Sequence, residues 1–177
     1  MRYAGLNTTD IANGPGVRVS VFVSGCRNAC PGCFNAEAQD FGFGIPFTQD
    51  SINQIKGALD RPEIAGLTVL GGEPLEPENQ HMVLRLVQTA KLLRPKKSVW
   101  LYTGLTYEDL ASGASRVETE YLKWILECTD VLVDGPFVES KRDLTLAFRG
   151  SSNQRLIDLS AMREAHDMST IITYDVM

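Results

Sequence analysis

The stretch Val17-Arg18-Val19-Ser20-Val21-Phe22-Val23-Ser24-Gly25-Cys26-Arg27-Asn28-Ala29-Cys30-Pro31-Gly32-Cys33 decides the fold and the chemistry together. Its first part alternates, with Val17, Val19, Val21 and Val23 on one face and Arg18, Ser20 and Phe22 on the other, which is the period of a β-strand. Three thiols then fall within eight residues, directly beyond the strand's C-terminal end. A cluster this tight, in a compartment that keeps thiols reduced, reads as a metal or iron–sulfur site rather than as disulfides. A structural zinc site wants four protein ligands. Three cysteines on a four-iron cluster instead leave one iron without a protein ligand, where the amine and carboxylate of a small molecule can bind; electron-transfer clusters close that position with a fourth cysteine. The spacing Cys26-x3-Cys30-x2-Cys33 alone also admits a zinc staple completed by Cys128 or a histidine.

Working outward, Asn13-Gly14-Pro15-Gly16 is a turn before the strand. Phe41 to Phe47 reads as loop, and Thr48 caps a helix to about Leu59 with Ile52, Ile55 and Leu59 inward. Leu67 to Leu70 is a short strand ending in Gly71-Gly72-Glu73-Pro74, and a long helix follows over Pro77 to Leu93. Ser98 to Tyr102 is the next strand, closed by Thr103-Gly104, with Thr106 and Asp109 capping a short helix. Val117 to Cys128 is read as a helix burying Tyr121, Trp124, Ile125 and Cys128, and Val131 to Val133 as a strand ending in Asp134-Gly135-Pro136. Short strands are expected at Leu144 to Phe148 and around Ile171-Ile172, with a polar loop over Arg149 to Arg155. Lys96-Lys97, His81 and His166 are assigned to the solvated surface.

Strand, loop and helix thus alternate about four times, which predicts an α/β fold with a mostly parallel sheet and crossover helices. The special residues gather at the C-terminal ends of successive strands, where such sheets bind ligands. A closed eight-unit barrel needs about 250 residues. A chain of 177 residues predicts an incomplete (β/α) barrel in a single domain over 1–177.

The net charge of −5 argues against general nucleic-acid binding. No run is long and apolar enough to span a bilayer, and Met1 to Gly5 is not followed by an apolar signal core, so a cytoplasmic location is expected. No phosphate-cradling glycine motif of the nucleotide-binding type is present.

The cysteine spacing resembles the signature of the radical S-adenosylmethionine superfamily. That superfamily commonly carries an aromatic residue before the third cysteine, whereas here it is Gly32. With Gly32, the blocks Asn13 to Asn35, Asp130 to Phe137, Arg142 to Leu144 and Phe148 to Arg155 resemble the activating proteins of anaerobic ribonucleoside-triphosphate reductase. The similarity extends to about Leu159, leaving the C-terminal segment 159–177 unmatched. The resemblance implies a [4Fe-4S] cluster on Cys26, Cys30 and Cys33 with one open iron, and S-adenosylmethionine as second cofactor. It implies that Gly71, Gly72 and Glu73 bind the amino group of S-adenosylmethionine, and that Thr103 and Asp134 contact its carboxylate or ribose, Asp134 also helping to hold a monovalent cation. The Asn13 to Gly16 turn would sit near the mouth of the site, and the Phe148 to Arg155 block would serve S-adenosylmethionine binding or docking. The implied reaction is reductive cleavage to a 5′-deoxyadenosyl radical that takes a hydrogen atom from a glycine of the reductase's large catalytic subunit. The electron would come from a flavodoxin-like donor, and no protein side chain beyond cluster and S-adenosylmethionine would be catalytic. Other readings are an activase of a different glycyl-radical enzyme, another small radical enzyme, or a non-catalytic zinc or iron–sulfur module.

Overall fold

The computed structural model describes residues 1–176; Met177, the last residue of the expected domain, lies outside them. In chain order the strands are β1 (Arg2–Asp10), β2 (Val17–Val23), β3 (Ile45–Pro46), β4 (Ile64–Gly71), β5 (Ser98–Tyr102), β6 (Val131–Asp134) and β7 (Arg155–Asp158). The helices are α1 (Gln49–Leu59), α2 (Pro77–Leu92), α3 (Tyr107–Ala111), α4 (Leu122–Cys128) and α5 (Leu159–Glu164). One seven-stranded sheet runs β3-β1-β2-β4-β5-β6-β7. Its middle, β2-β4-β5-β6, is parallel, while β1, β3 and β7 pair antiparallel at the flanks. The sheet is mixed and does not close, so the parallel α/β expectation holds for the centre and the antiparallel flanks were not foreseen.

Both faces of the central strands are buried, as parallel pairing requires. Val19, Val21, Val23, Leu67, Val69, Val99, Leu101, Leu132 and Ile157 meet the inward stripes of the helices, including Ile55, Leu59, Val83, Leu86 and Ile125. On the opposite face Trp100, Val131, Val133 and Leu156 form a smaller core with Tyr102, Phe148 and Tyr174. Arg18 lies fully buried on that second face. Its guanidinium donates to Thr68 Oγ1, Ser98 Oγ and the Leu67 carbonyl at 2.7–2.9 Å, and stacks 5.5 Å from the Trp100 ring. Burial lowers its pKa to about 10.

Helix α1 begins as read, with Thr48 accepting from Ser51 N. Other expectations are corrected. The predicted helix over Val117 to Cys128 starts only at Leu122, because the Val117 carbonyl is taken at 2.6 Å by buried Gln80 Nε2. Within the helix Leu122 and Ile125 are buried, while Trp124 is 57% exposed and not part of the core. Leu144 to Phe148 is turn, not strand: Asp143 Oδ1 accepts from both Thr145 N and Thr145 Oγ1, a local bond that competes with extended pairing. Lys97 is buried, its Nζ donating to the Arg61 and Ile64 carbonyls at 3.0 and 2.7 Å. The region around Ile171-Ile172 is not a strand but a strip on β7, through one bridge from Thr173 to Ile157 and bonds at Ile172 O and Tyr174 N. His81 and His166 are exposed, as expected.

The approach of β4 to β5 leaves no room for a side chain at Gly66, where a Cβ would stand 2.1 Å from the Ser98 carbonyl oxygen. Gly66→Ala is therefore expected to cost about 2 kcal/mol, read as a lower urea midpoint with an unchanged slope.

Candidate functional site

Strands β2, β4, β5 and β6 deliver four loops to one edge of the sheet, and these surround a cavity of about 320 Å³. Cys26, Cys30 and Cys33 all line it, as do Gly71, Gly72, Thr103, Gly104 and Gly135. From the far end of the chain come Phe137, Phe148, Arg149, Gly150 and Gln154. The block that had read as a polar loop therefore stands against the cysteine loop: a Cβ on Gly150 would lie 2.9 Å from Phe34 Cε2. Phe34 also packs on Phe137 at 5.0 Å and beneath the Arg142 guanidinium.

The cysteine loop is held by backbone and by acids. Gly25 N donates to Ala38 O and Cys26 N to Gln39 O, at 2.8 and 3.0 Å. Gly72 N donates to Val23 O at 2.7 Å, and Glu73 N to Gly25 O at 2.8 Å. A Cβ on Gly72 would lie 2.7 Å from the Gly25 and Ala38 oxygens. These glycines thus admit the neighbouring chain, in addition to any ligand. Arg27 N and Nη1 donate to the two oxygens of buried Glu76 at 2.8 and 2.7 Å, and Arg27 also pairs with Glu78. Arg116 bridges Glu76 Oε1 at 2.8 Å and Asn28 Oδ1 at 2.6 Å. Arg27, Asn28, Glu76, Glu78 and Arg116 were not singled out from the sequence, although the carboxylates Glu73, Glu76 and Glu78 after the glycine pair were a visible signal.

Glu73 and Asp134 do not line the cavity. Glu73 is fully buried, with Oε2 accepting from Asn28 Nδ2 and Gly104 N at 2.8 Å and Oε1 from Leu75 N at 3.0 Å. Burial raises its pKa, opposed by these bonds. Asp134 is buried beneath Arg155, which donates Nε to Oδ1 at 3.0 Å and Nη2 to Oδ2, while Tyr107 N donates to Oδ2 at 2.8 Å. A guanidinium occupies the place in which a monovalent cation was expected. The Asn13 to Gly16 turn precedes the other end of β2, a strand's length from Cys26, and Gly14 abuts Arg18.

All four cysteines are free and partly buried; Cys128 stands apart, packed against the main core. Among the described residues no three His, Cys, Asp or Glu side chains converge to chelate one ion. Thiols spread around one cavity wall suit separate iron corners of a cluster better than a single metal ion. Burial pushes the Cys26 thiol up to about 11, with Glu73, Glu76 and Cys30 adding to the effect and the Asn28 backbone N–H opposing it. No helix of the described residues is long and apolar enough to cross a membrane.

A family model described as a 4Fe-4S single cluster domain matches residues 12–157. The chain is 38% identical over 156 residues to the anaerobic ribonucleoside-triphosphate reductase-activating protein of Escherichia coli strain K12, covering 87% of this chain and 96% of that relative. The protein of the same name from Pasteurella multocida is 40% identical, covering 87% and 95%. That of Enterobacteria phage T4 is 36% identical, covering 88% and 93%.

Two outcomes are expected of the anchors. Arg155→Met strands the buried Asp134 carboxylate and should cost about 3 kcal/mol in urea unfolding; the double variant with Asp134→Asn should recover most of it. Glu76→Ala frees Arg27 and Arg116, so amide exchange across residues 27–33 should speed by about tenfold, with β2 unchanged.

Proposed function

Because this chain belongs to the family of anaerobic ribonucleoside-triphosphate reductase-activating proteins, we propose that it activates such a reductase as a radical S-adenosylmethionine enzyme of one domain. The observation that carries the reading is the meeting of three thiols, the Gly71-Gly72 turn and the Phe148 to Gln154 block around one cavity. Cys26, Cys30 and Cys33 would hold the [4Fe-4S] cluster and leave one iron for S-adenosylmethionine. The pair would supply one-electron reductive cleavage of the sulfonium, with the electron from an external donor, giving methionine and the radical chemistry that would take a hydrogen atom from a glycine of the reductase's large catalytic subunit.

The chain's own residues position and enclose. Gly71 and Gly72 line the wall beside the thiols, where an ammonium group can approach backbone carbonyls. Glu73 works from behind the wall, fixing Asn28 of the cysteine loop and Gly104 of the loop after β5 against each other. Thr103 contributes to the cavity lining, with its N–H given to Val133 O at 2.9 Å. Asp134 acts through Arg155 and Tyr107, tying the end of β6 to α3 and β7. No Asp, Glu, His or Lys lines the cavity, which suits hydrogen-atom abstraction, a step without a general base. Phe34, 55% exposed, and Leu144, 73% exposed, give the mouth an apolar rim that suits entry of a polypeptide segment. Under this reading the electron donor is a flavodoxin-like protein and the setting is cytoplasmic.

The test is anaerobic reconstitution with iron and sulfide, reduction, and addition of S-adenosylmethionine with the large reductase subunit. Formation of 5′-deoxyadenosine and a glycyl-radical signal in electron paramagnetic resonance are expected. Purification as a zinc protein that takes up no iron would overturn the reading. Cys30→Ala should lose the cluster and all activity; a variant that keeps both would refute the ligand assignment.

A further inference from the structure

Arg149 is the one residue lining the cavity whose side chain carries a fixed positive charge, and no carboxylate lines the cavity with it. It makes no ion pair among the described residues. Its Nη1 donates to the Gln154 carbonyl at 3.2 Å, and its Nε is buried without an acceptor. Its Nη2 is given no acceptor by the described residues, so the guanidinium keeps N–H groups free for an anion in the cavity that it lines.

The position of this side chain is over-determined. Phe148 adopts a left-handed φ of 58°, unfavourable for a side chain of its size. It is held there by Tyr102, whose hydroxyl donates to the Phe148 carbonyl at 3.0 Å, and by edge contact with Trp100 at 5.3 Å. On the other side, Gly150 N and Ser151 N donate to Gln154 Oε1 at 2.9 and 3.1 Å. Gly150 is pressed against Phe34, the residue after Cys33. Backbone strain maintained by such a surround marks a position fixed for use.

We infer that Arg149 binds the carboxylate of the amino-acid end of S-adenosylmethionine, an inference that rests on the function proposed above. The ligand carries a sulfonium, an ammonium and a carboxylate; only the last is attracted to a guanidinium, and its two oxygens match the planar fork. The arginine thereby sorts the ligand's ends. It draws the carboxylate toward the Phe148 to Gln154 loop and leaves the ammonium to the Gly71-Gly72 wall.

The test compares binding of S-adenosylmethionine and of decarboxylated S-adenosylmethionine by calorimetry, on anaerobically reconstituted wild-type protein and on Arg149→Gln. The substitution should weaken S-adenosylmethionine binding by about tenfold to a hundredfold and leave the decarboxylated analogue unaffected. Arg149→Lys, which keeps the charge without the fork, should restore part of the loss. A wild-type preference between the two ligands in Arg149→Gln overturns the inference. It falls equally if that preference persists while iron is lost, which would assign the arginine to the thiolates, or while reductase binding is lost, which would assign it to the partner. Failure of the wild-type protein itself to bind S-adenosylmethionine overturns instead the functional reading on which the inference rests.

Discussion

Two backbone hydrogen bonds hold the site in register. Gly72 N reaches Val23 O, and Glu73 N reaches Gly25 O, at 2.7 and 2.8 Å. They continue the parallel pairing of β2 and β4 beyond the ends of both strands, into the cysteine loop and the turn that faces it. Continuation is possible because the chain leaving β4 carries no side chain where the two touch: a Cβ on Gly71 would meet Val23 backbone atoms at 2.7 Å, and one on Gly72 would meet Gly25 O at the same distance. Ordinary residues here would push the loops apart and carry the thiols away from the rest of the cavity wall.

Acidic side chains then do structural work behind that wall. Glu73, Glu76 and Asp134 are each buried, and each is fully engaged by N–H donors from loops that are distant in sequence. Buried carboxylates demand such partners. In this arrangement they knit the loops after β2, β4, β5 and β6 into one frame. The cavity itself is left to thiols, glycines, aromatic rings, uncharged amide and hydroxyl groups, two leucines and a single arginine.

Local signals made part of this legible. The alternating valines of β2, the Thr48 cap, the span of β5 and the thiol cluster beyond β2 depend on neighbours a few residues away, and they appear as read. Features set by distant partners did not. Strand β1 is polar and lacks alternation, since only Tyr3 and Asp10 are buried; pairing with β2 recruits it. Strand β7 and helix α5 are only four and six residues long, too short for a periodic pattern. Glu73 and Asp134 belong to the right loops, but their side chains turn away from the cavity toward Asn28 and Gly104 in one case and Arg155 in the other, donors that no spacing rule identifies. Lys97 likewise looked solvated and is buried, its ammonium held by carbonyls from the segment leading into and starting β4.

The ends of the sheet bear on how another protein can approach it. At one end β3 is only two residues long and its second residue, Pro46, has no N–H to offer. At the other, the strip around Thr173 covers β7, taking bonds through Ile172 O and Tyr174 N. The β7 margin therefore offers no free row of backbone groups to a second chain, whereas at the other end β3 pairs only with Arg2 and Tyr3, and no strand of the described residues lies beside the outer edge of β1 from Ala4 to Asp10. Main-chain pairing with an extended peptide is thus closed at β7 and open along β1, so only one end of the sheet can grow by strand addition.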